Sequence, residues 1–405
     1  MTSAAITIDP DSYLYPEIEA AVKKHLPDIT IVQKYSVDAP KTFHYAEYED
    51  LDFDRLNSAD PNYLACSYVY RKHYLANTVA HYTAKHPDSA LKKAFPECFN
   101  IEVDYAEFLD DALDEAYELR SELEQNQQLP ENEPRKTWIL KPSMSDRGQG
   151  IRLFQTIDGL QRIFDEFEED NDNDDGNDDN TMGNVDTSSG DYDNKIITSQ
   201  LRHFVVQEYI ANTLLLQAHD RRKFHIRTYV LCVGDLRVYV YRQMLALFAL
   251  APYSAPPMSE GLDGIPLRGH LTNTCLQGEF KDDKSVALFW DLDGISLKEK
   301  QDIYAELCQV TGDLFRAAAA NSMHFQARSN AFEIYGLDFL VTEDHHIKLL
   351  EVNAYPDFKQ TGPQLVSVIT TLFDAVIETA VKPYFDSSSV PERKDLTLVF
   401  QQQAH

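Results

Sequence analysis

The chain has 405 residues, room for about two or three packed subdomains, and its 43% hydrophobic content with 22 Tyr and 21 Phe describes an ordered globular protein. A net charge of −29 opposes nucleic-acid phosphates and anionic membranes as partners, and no apolar run reaches spanning length, since the one around Leu245–Leu250 stops at Ala251-Pro252. Cys66, Cys98, Cys232, Cys275 and Cys308 have no CxxC spacing, and "MTSAAITIDPDS" has no basic segment followed by an apolar one. Both features point to reduced thiols in a cytoplasmic protein without a disulfide framework, zinc site or signal peptide.

Residues 1–93 read as a small α/β unit. "AAITI" is a strand, "SYLYPEIEAAVKKHL" has helical periodicity with Ser12 as candidate N-cap, and "ITIVQ" and "YLACSYVY" are further strands. "RKHYLANTVAHYTAKH" is a helix that begins with two cations. The second unit, 94–210, contains "KTWILKPSMSDRGQGIRLF", read as strand, glycine-containing loop and strand. It also holds the helix "IDGLQRIFDEF" and the strand "HFVVQEYI". Between these two lies an acidic low-complexity insert at about 165–195, where Asp165–Asp193 supplies 13 negative charges and no Lys or Arg. Its composition predicts a disordered surface loop. The third unit, 211–405, alternates strands and closes with the helices "SLKEKQDIYAELCQVTGDLFRAAAA" and "PQLVSVITTLFDAVIETAVKPYF".

Four stretches carry chemistry. "YGLDFLV" and "IKLLEVNAYP" form a hairpin across "TEDHH". With a four-residue loop, Glu343–His346, Thr342 pairs with Ile347 and Asp338 falls opposite Glu351. Alternation then puts Leu349, Glu351 and Asn353 on one face. Two carboxylates and an amide oxygen suit Mg²⁺, which takes few protein ligands and leaves room for phosphates. In "RRKFHIRTYVL", Lys223, His225 and Arg227 alternate with Phe224 and Ile226, so three potential cations line one strand face. Arg and Lys on a rigid strand are what polyphosphate binding needs, and in an otherwise acidic chain that spends few cations this is favoured over a solvated basic face. In "WILKPSMSDRGQGI", Lys141 ends an apolar strand, and Gly148 and Gly150 permit a loop whose backbone N–H groups close over phosphates. In "VVQEYI", Gln207, Glu208, Tyr209 and Ile210 offer backbone and amide groups to an adenine. The spacing is not that of a Walker A loop. Together these stretches describe an ATP and Mg²⁺ site without a P-loop.

In this order the motifs resemble the tubulin–tyrosine ligase-like enzymes, a branch of the ATP-grasp superfamily, from about Tyr70 to Thr361. The match runs through "RKHYL", "FPECFNI", "WILKPSMSDRGQGI", "VVQEYI", "RKFHIRTYVL", "HLTNTCLQ", "YGLDFLV" and "LLEVNAYP". The resemblance implies an ATP-grasp fold of mixed α/β and α+β class, with a small N-terminal α/β subdomain and two α+β subdomains enclosing ATP. It implies a monomeric carboxylate–amine ligase: a carboxylate attacks the γ-phosphate to give an acyl phosphate, and an amine displaces phosphate to leave an amide. Asp338, Glu351 and Asn353 would hold Mg²⁺. Lys72, Lys141, Lys223 and Arg227 would meet phosphates or the acyl phosphate, and Thr272 and Asn273 would lie near ribose or phosphate.

Three departures stand out. His225 replaces the family's Asp, Glu208 replaces a hinge Lys, and Leu247 falls where many members carry Arg, with Arg242 as a possible substitute. These departures favour a second reading, a nucleotide-binding module used as a docking surface. The acidic surface argues for a protein or amino-acid substrate other than tubulin. The fungal P-body-associated branch of the family implies mRNA-decapping proteins as partners and P-bodies as a location.

Overall fold

The computed structural model describes residues 2–66, 69–70, 75–130, 132–143, 149–172, 202–258, 265–272, 285–321, 325–354, 356, 358, 366–387, 389–390 and 392–402. All of residues 173–201, the core of the acidic insert, and Lys72, Gly148 and Asn273 among the expected site residues, lie outside this set.

The chain begins β1 (Ser3–Ile6), α1 (Tyr15–His25), β2 (Thr30–Val32), β3 (Thr42–Tyr45), α2 (Phe53–Asn57), β4 (Tyr63–Cys66), β5 (Val69–Tyr70), α3 (Leu75–Lys85) and α4 (Leu91–Ala94). β3 is not anticipated by the sequence pattern. The helix after Ser12 starts later than expected: Pro16 occupies its first turn and Leu14 is the N-cap, without a side-chain cap. Ser12 instead accepts a hydrogen bond from the Leu14 N–H at 3.4 Å.

The middle of the chain supplies β6 (Cys98–Glu102), α5 (Leu109–Glu115), α6 (Tyr117–Gln128), β7 (Trp138–Pro142), β8 (Arg152–Phe154), α7 (Ile157–Asp172) and β9 (His203–Glu208). The four strands make an antiparallel sheet in the order β6-β9-β7-β8. Strand alternation divides its faces. Trp138, Leu140, Phe204 and Val206 pack under the three helices, whereas Ile139 joins Ile151, Leu153, Tyr209 and Ile265 in a small apolar patch on the other side.

The rest comprises β10 (Arg222–Val233), β11 (Arg237–Tyr241), β12 (Leu245–Pro252), β13 (Val286–Leu288), α8 (Leu297–Ala319), β14 (Phe325–Gln326), β15 (Ala331–Val341), β16 (Ile347–Ala354), α9 (Val366–Val376), α10 (Lys382–Asp386) and β17 (Leu396–Gln401). Here the sheet is large and mixed, with the path β13-β12-β10-β15-β4-β3-β1-β2. β10 and β15 are buried along their whole length because helices cover both faces. On one face α3 and α8 pack over Phe224, Ile226, Val230, Leu337 and Phe339. On the other, α1 and α9 pack over Tyr229, Leu231, Phe332 and Ile334. α8 is started by a capping box, Ser296 with Glu299, a device worth about 1 kcal/mol.

β4 runs parallel to β15, so the first four strands of the chain, all parallel-paired, extend the same sheet as its last third. A charged strut reinforces that union. His25 and Lys24 on α1 reach Asp374 on α9, and Arg393 bonds Asp374 and Glu378. Glu378 sits in a π-helical turn, Ile377–Val381, between α9 and α10.

Candidate active site

On the α9 face of the large sheet the side chains change character along the strands. Past Tyr229 and Gly336 the apolar rows give way to Arg227 opposite Asp338, then to His225, then to Lys223. The alternation expected from "RRKFHIRTYVL" places these three on one face, and all are buried. Arg227 grips Asp338 bidentately, Nε donating to Oδ1 at 2.5 Å and Nη2 to Oδ2 at 3.0 Å. Burial alone would lower the arginine's pKa, but Asp338 more than offsets this and holds it above the usual range. Gly336 is required here: a Cβ would lie 2.8 Å from Pro356 Cβ and 3.3 Å from Arg227 Cδ.

Across the β15–β16 hairpin, Asp338 pairs with Glu351, as the count from the turn predicts. The path to that pairing differs. Val341, not Thr342, pairs with Ile347, and a bulge between Phe339 and Asp338 leaves Leu350 as the extra residue. The one-residue error at the turn and the bulge cancel. The bulge also corrects the expected face of Leu349, which packs with Ile347 and Val352 in the core. Glu351 and Asn353 therefore turn to the opposite face, where Asn353 Nδ2 donates to Asp338 Oδ2 at 3.3 Å. The donor set of two carboxylates and an amide, gathered on paired strands, fits a hard divalent ion.

A second basic group comes from the other sheet. Lys141, on the patch-bearing face of β7, donates to Gln207 Oε1 at 2.6 Å, and Gln207 Nε2 donates to Cys98 Sγ at 3.2 Å. Burial pushes the Cys98 thiol up to about 11. Lys223 stands 3.9 Å above the Tyr209 ring centroid and 5.9 Å from that of Tyr253. Burial, and then the charge of Lys141, draw the Lys223 pKa down to about 7, although the aromatic faces favour its charged form. His270 bonds the Tyr209 hydroxyl through Nδ1 at 2.7 Å, and burial with nearby Lys223 lowers its pKa to about 4. Thr272 bonds His225 Nδ1 at 2.6 Å.

Two expected residues behave differently. Arg242 is not part of the cluster: its guanidinium stacks on Trp290 at 4.6 Å and Tyr304 at 5.0 Å. The reason is that β11 pairs with Val230–Val233, the far half of β10, whereas β12 flanks the half that carries the cations. There Leu247 pairs with His225 and is buried in the core. Glu208 pairs with Trp138, and its N–H donates to Glu97 O at 2.8 Å, as that of Tyr209 does to Thr137 O at 2.9 Å. Those two N–H groups are thus engaged within the protein. Gly150 has a left-handed φ of 70°. Ile210 is buried beside Tyr209. Sequence reasoning misses Cys98, Tyr253, His270 and the apolar patch. Of these, His270 was within reach, since it opens "HLTNTCLQ".

An antiparallel sheet and a larger mixed sheet that meet over a half-buried and a buried lysine, with an acidic hairpin beside them, define the ATP-grasp class. The fold matches the crystal structure of the C-terminal domain of K. lactis Pby1, described as an ATP-grasp enzyme interacting with the mRNA decapping enzyme Dcp2, with a TM-score of 0.73 and 40% identity over 100% of both chains. The profile of the tubulin-tyrosine ligase family matches residues 57–389. The chain belongs to the tubulin-tyrosine ligase family. It is 47% identical to the Saccharomyces cerevisiae protein named "Probable tubulin--tyrosine ligase PBY1", over 95% of this chain and 52% of that one. A Schizosaccharomyces pombe relative with the same description is 46% identical over 94% of this chain and 91% of its own length. The chain thus spans about half of the S. cerevisiae relative and most of the S. pombe one.

Proposed function

We propose that this protein is an ATP- and Mg²⁺-dependent ligase that joins a carboxylate to an amine through an acyl phosphate, on a protein other than tubulin. The observation that carries this reading is that Lys141, bonded to Gln207, and Lys223, standing over Tyr209, reach the same end of β9 from separate sheets, with the Arg227–Asp338 pair further along the Lys223 strand. Lys141 and Lys223 would hold the triphosphate, and the patch around Ile139, Leu153 and Tyr209 would cover the flat face of a base. Arg227 would offset charge on the transferring phosphoryl group. Asp338, Glu351 and Asn353 would hold Mg²⁺, which would screen the phosphates when bound with ATP. The acceptor's carboxylate oxygen attacks the γ-phosphorus as ADP leaves. The amine nitrogen then attacks the acyl carbon as phosphate leaves.

The test is calorimetric titration of ATP, with and without Mg²⁺, into the wild type and Glu351→Gln. Mg²⁺-dependent binding that weakens at least about tenfold in the variant supports the site. No binding by the wild type sinks the ligase reading.

A second reading is a nucleotide-binding scaffold, active weakly or not at all, that docks mRNA-decapping proteins in the cytoplasm or P-bodies. It is favoured by Leu247, an apolar side chain buried against His225 on the phosphate-facing row. ADP release that stays at background with every carboxylate and amine offered, in a protein that binds ATP, would favour it.

A further inference from the structure

His225 is 4% exposed, and its two ring nitrogens have different fates. Nδ1 is fixed by Thr272 Oγ1 at 2.6 Å. Among the described residues Nε2 is buried without a hydrogen-bond partner, and it lies 3.6 Å from Asp338 Oδ1. A metal-binding histidine has this arrangement, one nitrogen held by a protein group so that the other presents its lone pair. Two ligands of one first-row ion, each about 2.1 Å from it, lie no more than about 4.2 Å apart, so the separation from Asp338 Oδ1 is within reach of one ion.

We infer that His225 Nε2 is a nitrogen ligand of the ATP-associated metal, beside Asp338 and Glu351, and that it turns the site toward a first-row transition ion such as Mn²⁺ in preference to Mg²⁺. Mg²⁺ is hard and takes oxygen, whereas imidazole suits transition ions. Hydrogen bonding of Thr272 to Nδ1 makes Thr272 a positioning residue for the ring. The inference rests on the nucleotide-site reading above.

The experiment is pulsed electron paramagnetic resonance of Mn²⁺ bound to the protein with adenosine 5′-(β,γ-methylene)triphosphate, an analogue without a bridging nitrogen. The expected spectrum carries the modulation of a directly bound imidazole ¹⁴N. Labelling with ¹⁵N-histidine should convert that pattern to its ¹⁵N form, and His225→Asp should remove it. Calorimetry should show the Mn²⁺-over-Mg²⁺ preference for the analogue falling about tenfold or more in His225→Asp. Mn²⁺ and analogue bound with no histidine coupling would overturn this inference and leave the nucleotide site standing. Failure of the analogue to bind with either ion would overturn both.

Discussion

With its pKa near 7, Lys223 is only partly charged at neutral pH in the nucleotide-free protein. A triphosphate beside it favours the ammonium form, so binding takes up a proton wherever the lysine was neutral. Affinity for ATP should therefore be greatest below about pH 6.5. It should fall by up to about tenfold per pH unit above 7, until the bound-state pKa is reached. Calorimetry in buffers of different ionisation heat should find uptake approaching one proton at pH 8 and close to none at pH 6, and Lys223→Met should lose both effects. The sequence announces Lys223, His225 and Arg227 because strand alternation is a local property. It does not announce that Lys223 is buried over Tyr209 and lowered by that burial and then by Lys141, since Lys141 lies on the other sheet and Tyr209 just past the end of its strand β9. Arg242 fails as an expectation for the same reason. Which half of β10 receives β11 is decided by tertiary pairing, and the hairpin sequence is silent on it.

The β15–β16 hairpin shows how an element can be read correctly by an incorrect route. Counting from "TEDHH" puts Asp338 against Glu351, yet the count errs at the turn and is restored by the bulge at Leu350. Nothing in "KLLEVN" marks a bulge, because either leucine satisfies a core position. The apolar flanks were informative, and the face of Leu349 was not. Gly336 tests the packing of this element. Alanine there would meet Pro356 and the Arg227 side chain, so Gly336→Ala should cost about 1–3 kcal/mol of stability by urea unfolding. It should also weaken ATP binding by displacing the guanidinium. Loss of stability with unchanged binding would mean that Arg227 is not held in place by this contact.

The mean field of the molecule is negative, and −16 remains outside the Asp165–Asp193 stretch, while Lys223 and Arg227 are buried in the site. A glutamate-rich acceptor should then be repelled on approach. Its KM should fall as salt rises toward about 0.15 M, whereas a Lys/Arg-rich acceptor should show the opposite slope in ADP-release assays. The elements were readable along the chain, but the joining of β4 to β15 was not, because no local signal specifies a pairing between Ala65 and Ala331. That pairing sets a timetable. A ribosome adding about 5–20 residues per second needs roughly 15–50 seconds to travel from β4 to its partner strand. Throughout that interval the edge of β4 lacks its partner strand, and an unpaired edge is a template for any other strand that reaches it first. Neighbouring chains on the same message are the nearest such strands, and crowded or slow translation should cost yield long before it costs the stability of molecules already made.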